Sequence, residues 1–367
     1  MNHPLHHLIA LSFIPNLGTL NTKNLIAYCG SAEAVFKQSR GKLLKIPGIG
    51  SFVADSILKA NIGRQVEEEL RFIEQHQLRV LSYLDADYPK RLSHCADSPI
   101  LIFVKGTTDL NPKKSIAIVG TRKATKFGRD WVEKFAEECK HFDIQIVSGL
   151  ALGIDAQAHK SALAHGLNTV GVLAHPLNIL YPSSHTSLAK QMLESGSALL
   201  TEYSSQSAFL PSNFPMRNRI VAGMCDASII VESAQKGGAV ITANIANSYN
   251  RDVFAVPGRP RDTYAKGCNF LIKTHKAQLA ESAADIIQYL SWDVDQKPKR
   301  KIQRELALDL SEDETKLIGF LKDSEGLASD DLMLKCQFSG SKIAGVLLEL
   351  ELRGIIHSLP GSRFTLA

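Results

Sequence analysis

Between residues 113 and 290, short apolar runs alternate with longer stretches in which apolar residues recur at helical spacing. The runs are Ser115 to Val119, Ile144 to Val147, Thr169 to Leu173, Ala198 to Thr201, Ala227 to Val231 and Val253 to Val256. They are rich in β-branched residues and apolar throughout, with no in–out alternation. That pattern predicts parallel strands buried on both faces by intervening helices, an α/β domain. Upstream, Arg64 to His76 is polar with Val66, Leu70, Phe72 and Ile73 at helical spacing and predicts a surface helix. Leu78 to Leu84 and Ile100 to Val104 predict strands, separated by turns at Tyr88-Pro89 and Ser98-Pro99. At the other end, Glu312 to Lys322, Ser329 to Cys336 and Ser339 to Arg353 predict three helices. Gly354 to Leu366 then predicts a two-stranded wing turning at Pro360-Gly361. Helix, helix, longer helix and hairpin is the order of a winged helix.

Residues 1–62 are helical in pattern and punctuated by two related turns. Ile46-Pro47-Gly48-Ile49-Gly50 precedes an apolar helix with Val53, Ala54, Ile57 and Leu58 inward. Ile14-Pro15-Asn16-Leu17-Gly18 repeats the turn, with Asn16 where the second copy has Gly48. This predicts a degenerate tandem helix-hairpin-helix. Such turns let backbone N–H groups approach a phosphate, but they also serve to pack a small bundle. The few cations of this segment leave both readings open.

Strand ends carry the chemistry in a parallel sheet, since ligands bind at the carboxyl edge. The first strand ends in Gly120-Thr121-Arg122-Lys123. Arg122 stands where a dinucleotide fingerprint needs its second glycine, and no G-x-x-x-x-G-K-[ST] stretch occurs. The usual nicotinamide and nucleoside-triphosphate sites are thus disfavoured. The second strand ends in Ser148-Gly149, and Gly153 then opens a helix bearing Asp155 and His159 four residues apart. An acid–base pair is one reading; a cap with a helix-face hydrogen bond is the favoured one. Phe214-Pro215-Met216-Arg217-Asn218-Arg219 leads through a helix and a strand to Gly237-Gly238, which opens another helix. Free backbone N–H groups there suit an anion, with the two arginines nearby. Alternatively, Arg217 and Arg219 pair with Glu202, Asp226 or Glu232. Val256-Pro257-Gly258-Arg259-Pro260-Arg261 closes a further strand with two more arginines.

Composition narrows the setting. The chain of 367 residues is 44% hydrophobic and 22% charged, long enough for two or three domains. A net charge of +5 is compatible with a polyanionic partner without requiring one. The six cysteines form no C-x-x-C pair, so no zinc site, disulfide framework or cofactor is expected. The start has no signal-peptide pattern and no run approaches a membrane span, so a cytoplasmic protein without membrane contact is expected. The segment 293–308 is a basic linker. Beyond Ser311 acids outnumber bases, which favours protein contact over strong DNA reading by the last domain.

The series VGTR, SGLALGIDAQAH, ILYP, TEY, FPMRNRIVAGM, IIVESAQKGGAVITA, VFAVPG and KGCNFLI resembles the DNA-processing protein A (DprA/Smf) family across the central domain. The resemblance implies an extended Rossmann-like domain over 63–292 that binds single-stranded DNA. It is flanked by the helix-hairpin-helix-like all-α domain at 1–62 and the winged helix at 309–367. It further implies a non-catalytic homodimer that protects incoming strands and loads RecA recombinase during natural transformation. By the same resemblance Arg122 contacts the DNA backbone. Lys123, Ser148, Gly149, Phe214, Arg217, Asn218, Arg219, Gly237, Gly238 and Thr242 fall in motifs of one DNA-binding pocket. Two positions depart from the family pattern: Leu152 replaces a common cation, and Pro176-Leu177-Asn178 replaces Gly-Leu-Asp. The competing function is a nucleotide-monophosphate enzyme related to phosphoribohydrolases, with Glu202 or Glu232 as the acid. Its P-G-G-x-G-T-x-x-E order is not matched, because Glu232 precedes the glycines.

Overall fold

The computed structural model describes residues 4–292, 310–322, 326–359 and 363–366. The expected basic linker at 293–308 and the wing turn at Pro360-Gly361 lie outside the described residues. The chain divides into two units, Met1–Gln296 and Lys297–Ala367.

The first unit begins with α1 (His6–Ser12), α2 (Thr19–Cys29), α3 (Ala32–Phe36), α4 (Arg40–Leu43), α5 (Ser51–Leu58) and α6 (Gly63–Gln75). The two related turns share a positive φ at corresponding positions. Asn16 has φ 60° and Gly48 has φ 83°, the left-handed region that glycine and asparagine tolerate best. At position 48 a Cβ would also meet Asn21 Oδ1 at 2.4 Å, a contact that rotation of the Asn21 side chain relieves. These helices do not stand apart from the sheet. Ile9, Leu25, Val66 and Ile73 share a core with Leu101 and Phe103, on the strand next to its edge. Glu69, buried on α6, accepts hydrogen bonds from the Ser205 backbone N–H and hydroxyl.

The sheet contains β1 (Arg79–Ser82), β2 (Leu101–Gly106), β3 (Lys114–Val119), β4 (Ile144–Ser148), β5 (Thr169–Val172), β6 (Ala198–Thr201), β7 (Ala227–Ile230), β8 (Asp252–Ala255) and β9 (Gln278–Leu279). Their order is β1-β2-β6-β5-β4-β3-β7-β8-β9. The strands from β6 to β9 in that order are parallel, and β2 and β1 extend the β6 edge antiparallel. Joining them are α7 (Lys90–Ser93), α8 (Lys126–Cys139), α9 (Ile154–Ala164), α10 (Thr186–Glu194), α11 (Asn213–Gly223), α12 (Gly238–Ser248), α13 (Lys266–Lys273) and α14 (Ala283–Tyr289). Successive strand residues point to opposite faces, which explains the unbroken apolar runs. Ala117 and Val119 pack with α11 and α12 residues such as Val221 and Ala243. Ile116 and Ile118 pack on the other face with Val132 and Phe135 of α8. Each buried aliphatic side chain of this kind contributes about 1.5–3 kcal/mol.

The chain lays down β3 to β6 in one direction and then returns to place β7 on the opposite flank of β3. The helices after β3 and β7 therefore diverge to different faces. A crevice opens between them at the carboxyl ends of these two strands.

The second unit contains α15 (Glu312–Leu321), α16 (Ser329–Cys336) and α17 (Gly340–Leu352). Its three-stranded sheet combines β10 (Leu327–Ala328), β11 (Ile356–Leu359) and β12 (Arg363–Leu366) in the order β10-β12-β11. Ser311 and Glu314 form a reciprocal capping box at the start of α15. Arg353 donates to the same Glu314 at 2.8 Å and ties the end of α17 to that cap. Leu317, Leu332, Ile343, Leu347 and Ile356 fill the core. This is a winged-helix arrangement, as the element order predicts.

Candidate nucleic-acid interface

The crevice at the β3/β7 switch is a cleft of about 410 Å3. One wall is the turn after β3. Its backbone is pinned by Thr121 N–H to the Glu232 carbonyl at 2.7 Å and by Ile154 N–H to the Thr121 carbonyl at 3.2 Å. Gly153 makes the second contact possible, since it has φ 80° and a Cβ there would meet Thr121 O at 2.2 Å. Arg122 is thereby held exposed on a rigid turn. Its guanidinium lies 5.2 Å from the Phe214 ring centroid, within cation–π range.

Phe214 belongs to a wider aromatic platform. It meets Tyr181 at 5.8 Å and Phe209 at 5.9 Å, and these two lie 5.2 Å apart. Phe209 and Tyr181 are 40% and 46% exposed. In the sequence Tyr181 appears only within the ILYP stretch, and Phe209 falls in none of the motifs.

The opposite wall is the start of α12. Gly237, Gly238 and Thr242 all line the cleft. No side chain caps this helix, so its first N–H groups and dipole face the cleft. Asn218 of α11 lines it as well, half-buried.

Four of the expected DNA contacts are placed otherwise. Arg219 is turned into the interior and pairs with Glu202, whose carboxyl burial pushes up and Arg219 pulls down. Residues 217 and 219 sit about 200° apart around a helix of 3.6 residues per turn, so both cannot face one ligand. Arg217 reaches the cleft lining but is itself buried. Its guanidinium donates to the carbonyls of Gly149 and Val172. Ser148 is fully buried and donates to the Ile118 carbonyl at 2.6 Å. Lys123 is exposed, one residue beyond Arg122, and does not line the cleft.

The Gly149 turn is also not an open anion site. The Gly149 N–H donates to Asp155 Oδ2 at 3.1 Å, and the amides of Ala151 and Gly120 bond the same carboxyl. Asp155 is therefore the internal occupant of that nest. Burial pushes its carboxyl up, while Arg217 and the three amides pull it back. His159 does not complete an acid–base pair with it. The Thr169 hydroxyl donates to the Ile146 carbonyl and so accepts from His159 Nδ1–H at 2.7 Å. His159 Nε2 is buried without a partner, and burial together with Arg217 lowers the ring to a pKa of about 3. The imidazole is thus a neutral packing group.

Glu232 accepts from the Thr125 N–H at 2.8 Å and from its hydroxyl at 2.5 Å. Both carboxylates named for an enzyme are therefore engaged with protein partners. Among the described residues no cluster of His, Cys, Asp and Glu is built to hold a metal ion. The six cysteines are free thiols, and no described helix is long and apolar enough to cross a membrane.

Residues 79–291 match the family model of DNA recombination-mediator protein A. The chain belongs to the DNA recombination-mediator protein A family. The family match contains every residue that lines the cleft, and residues 303–362 match the winged helix domain of DprA. Protein Smf of Escherichia coli is 32% identical over 81% of this chain and 80% of its own length. The DNA processing protein DprA of Streptococcus pneumoniae is 38% identical over 56% of this chain and 72% of its own. The X-ray structure of the S. pneumoniae DprA superposes with a TM-score of 0.68 at 30% identity, covering 78% of this chain and 98% of that one. A structure of DNA processing protein A from Helicobacter pylori, described for its single-stranded DNA binding mode, gives 0.53 at 27% identity over 59% and 97%.

Proposed function

We propose that this family member binds single-stranded DNA in the β3/β7 cleft without chemical change, protects the strand, and passes it to RecA recombinase during natural transformation. It acts as a homodimer. One observation carries the reading: an exposed arginine, Arg122, is held on a pinned turn and laid over Phe214, facing an uncapped helix start. A phosphate between Arg122 and the Gly238 amide gains a charge-assisted bond and a helix dipole. A base beside it stacks on the platform of Phe214, Tyr181 and Phe209. The single-stranded DNA binding described for the Helicobacter relative supports the ligand class.

Anisotropy with labelled oligo-dT tests this reading. Arg122→Ala is expected to cost about 1.5–3 kcal/mol of binding free energy, roughly ten- to over a hundredfold in affinity. Wild-type binding should weaken with salt, log K falling by about 0.7 per neutralised phosphate per log unit. Undiminished affinity in Arg122→Ala would remove the cleft from the DNA path. RecA filament assembly on oligonucleotide, with and without the protein, tests delivery; Arg122→Ala should not accelerate it. Sedimentation of the full chain tests the dimer. Incubation with AMP should release no adenine, and release abolished by Glu232→Ala would favour the enzyme instead.

A further inference from the structure

A second and larger trough, of about 860 Å3, lies at the ends of β7 and β8. Tyr264 lines both it and the first cleft, so the two share a wall. Its floor is apolar, formed by Val231, Val256 and Pro257, and Phe127 at the start of α8 lines it with 53% of its surface exposed. A phenylalanine left this open at a helix start adds nothing to the core. The only carboxylate on the floor is Glu232, and its oxygens accept from Thr125. A phosphate is repelled there, whereas the donor edge of a base is accepted. The rim has the opposite character. Arg259 lines the trough, Arg261 follows it two residues on in the same loop, and Lys123 and Lys126 stand close before Phe127 in the chain. All four are exposed, and none has a carboxylate partner among the described residues. Besides Glu232 the trough is lined by one acid, Asp262, in the same loop as Arg259.

We infer that this trough is a second subsite for the same strand, taking an unstacked nucleobase against Phe127 while its phosphates run along the cationic rim. An apolar slot bounded by cations fits base inward and backbone outward, the arrangement by which single strands are held without sequence reading. The shared Tyr264 wall makes the path continuous, from the platform at Phe214 across the cleft to Phe127. The inference rests on the reading of the first cleft as a single-strand site.

The test compares full-length wild type, Phe127→Ala, Arg259→Ala and Arg122→Ala. Each is titrated against oligo-dT of about four nucleotides, which fills one cleft, and about fifteen, which spans both. Phe127 and Arg259 are exposed, so folding is retained and circular dichroism verifies it. Phe127→Ala and Arg259→Ala should each weaken the long strand by about fivefold or more, the lower end of one lost base stack, and leave the short one unchanged. Arg122→Ala should weaken both. Weakening by Arg122→Ala alone overturns the second subsite and keeps the first. Equal weakening of both lengths by Phe127→Ala also overturns it. No weakening by any variant overturns both sites.

Discussion

Two glycine-containing turns lead from a strand into a helix at the same edge of the sheet, after β4 and after β7, and only one of them is open. In the β4 turn the amides are consumed by Asp155, and Arg217 sits behind as its buried counter-charge. In the β7 turn no side chain caps α12, and the first turn of that helix holds no acid. The difference shows that glycines alone do not make an anion site. An aspartate in the first turn of the following helix satisfies the same amides from within, and the turn becomes part of the core. The closed turn is a stability element and the open turn a binding element.

That contrast can be broken at several points. Arg217→Ala is expected to have the largest effect. It strands the Asp155 carboxyl and the Gly149 and Val172 carbonyls in the interior, at a cost of about 3–5 kcal/mol, read as a lower midpoint in urea unfolding. Gly149→Ala comes next. Its Cβ would lie 2.4 Å from the Arg217 guanidinium, which is held by two carbonyls and cannot swing away freely. A loss of about 1–3 kcal/mol is expected by the same measurement. His159 supplies a pH signature of the closed side. Its folded pKa of about 3 is below the unfolded value, so its contribution is full above the unfolded value of about 6.5 and declines as pH falls toward 3. The slope is about 1.4 kcal/mol per pH unit, and comparison of unfolding curves for wild type and His159→Gln across that window should show the variant flatter. Gly238→Ala should be the mildest. Nothing lies within 4 Å of a Cβ there, so stability should stay within about 0.5 kcal/mol. A large stability loss in Gly238→Ala would mean that the β7 turn, too, is an internal element.

The strand sequence and its buried faces were legible because apolar runs between helices have few other solutions. The structure sets the six central strands within a residue of their expected ends. The equivalence of Asn16 and Gly48 was legible too, since both residue types admit positive φ. The candidate site was legible in part. Arg122, Phe214, Asn218, Gly237, Gly238 and Thr242 converge because strand ends and helix starts are forced to one edge. The pairing of Arg219 with Glu202 was legible only as the alternative to a DNA contact. Charged side chains are ordinarily placed at the surface, and its partner Glu202 comes from another element. Helical geometry alone nevertheless shows that Arg217 and Arg219 diverge. Tyr181 and Phe209 escaped notice because aromatic clustering is a property of folded loops, not of spacing along the chain.

The return of the chain from β6 across to β7 has a consequence for the protein's birth. The cleft is bounded by Gly120 near one end of the domain and Tyr264 near the other, with Arg217 and Gly238 between. A polypeptide emerging from the ribosome N-terminus first therefore has no binding groove while β3 to β6 are being laid down. The groove is complete only once β7 lies against the flank of β3 and brings α12 with it. The cleft is thus absent from nascent chains until nearly the whole sheet has been synthesised.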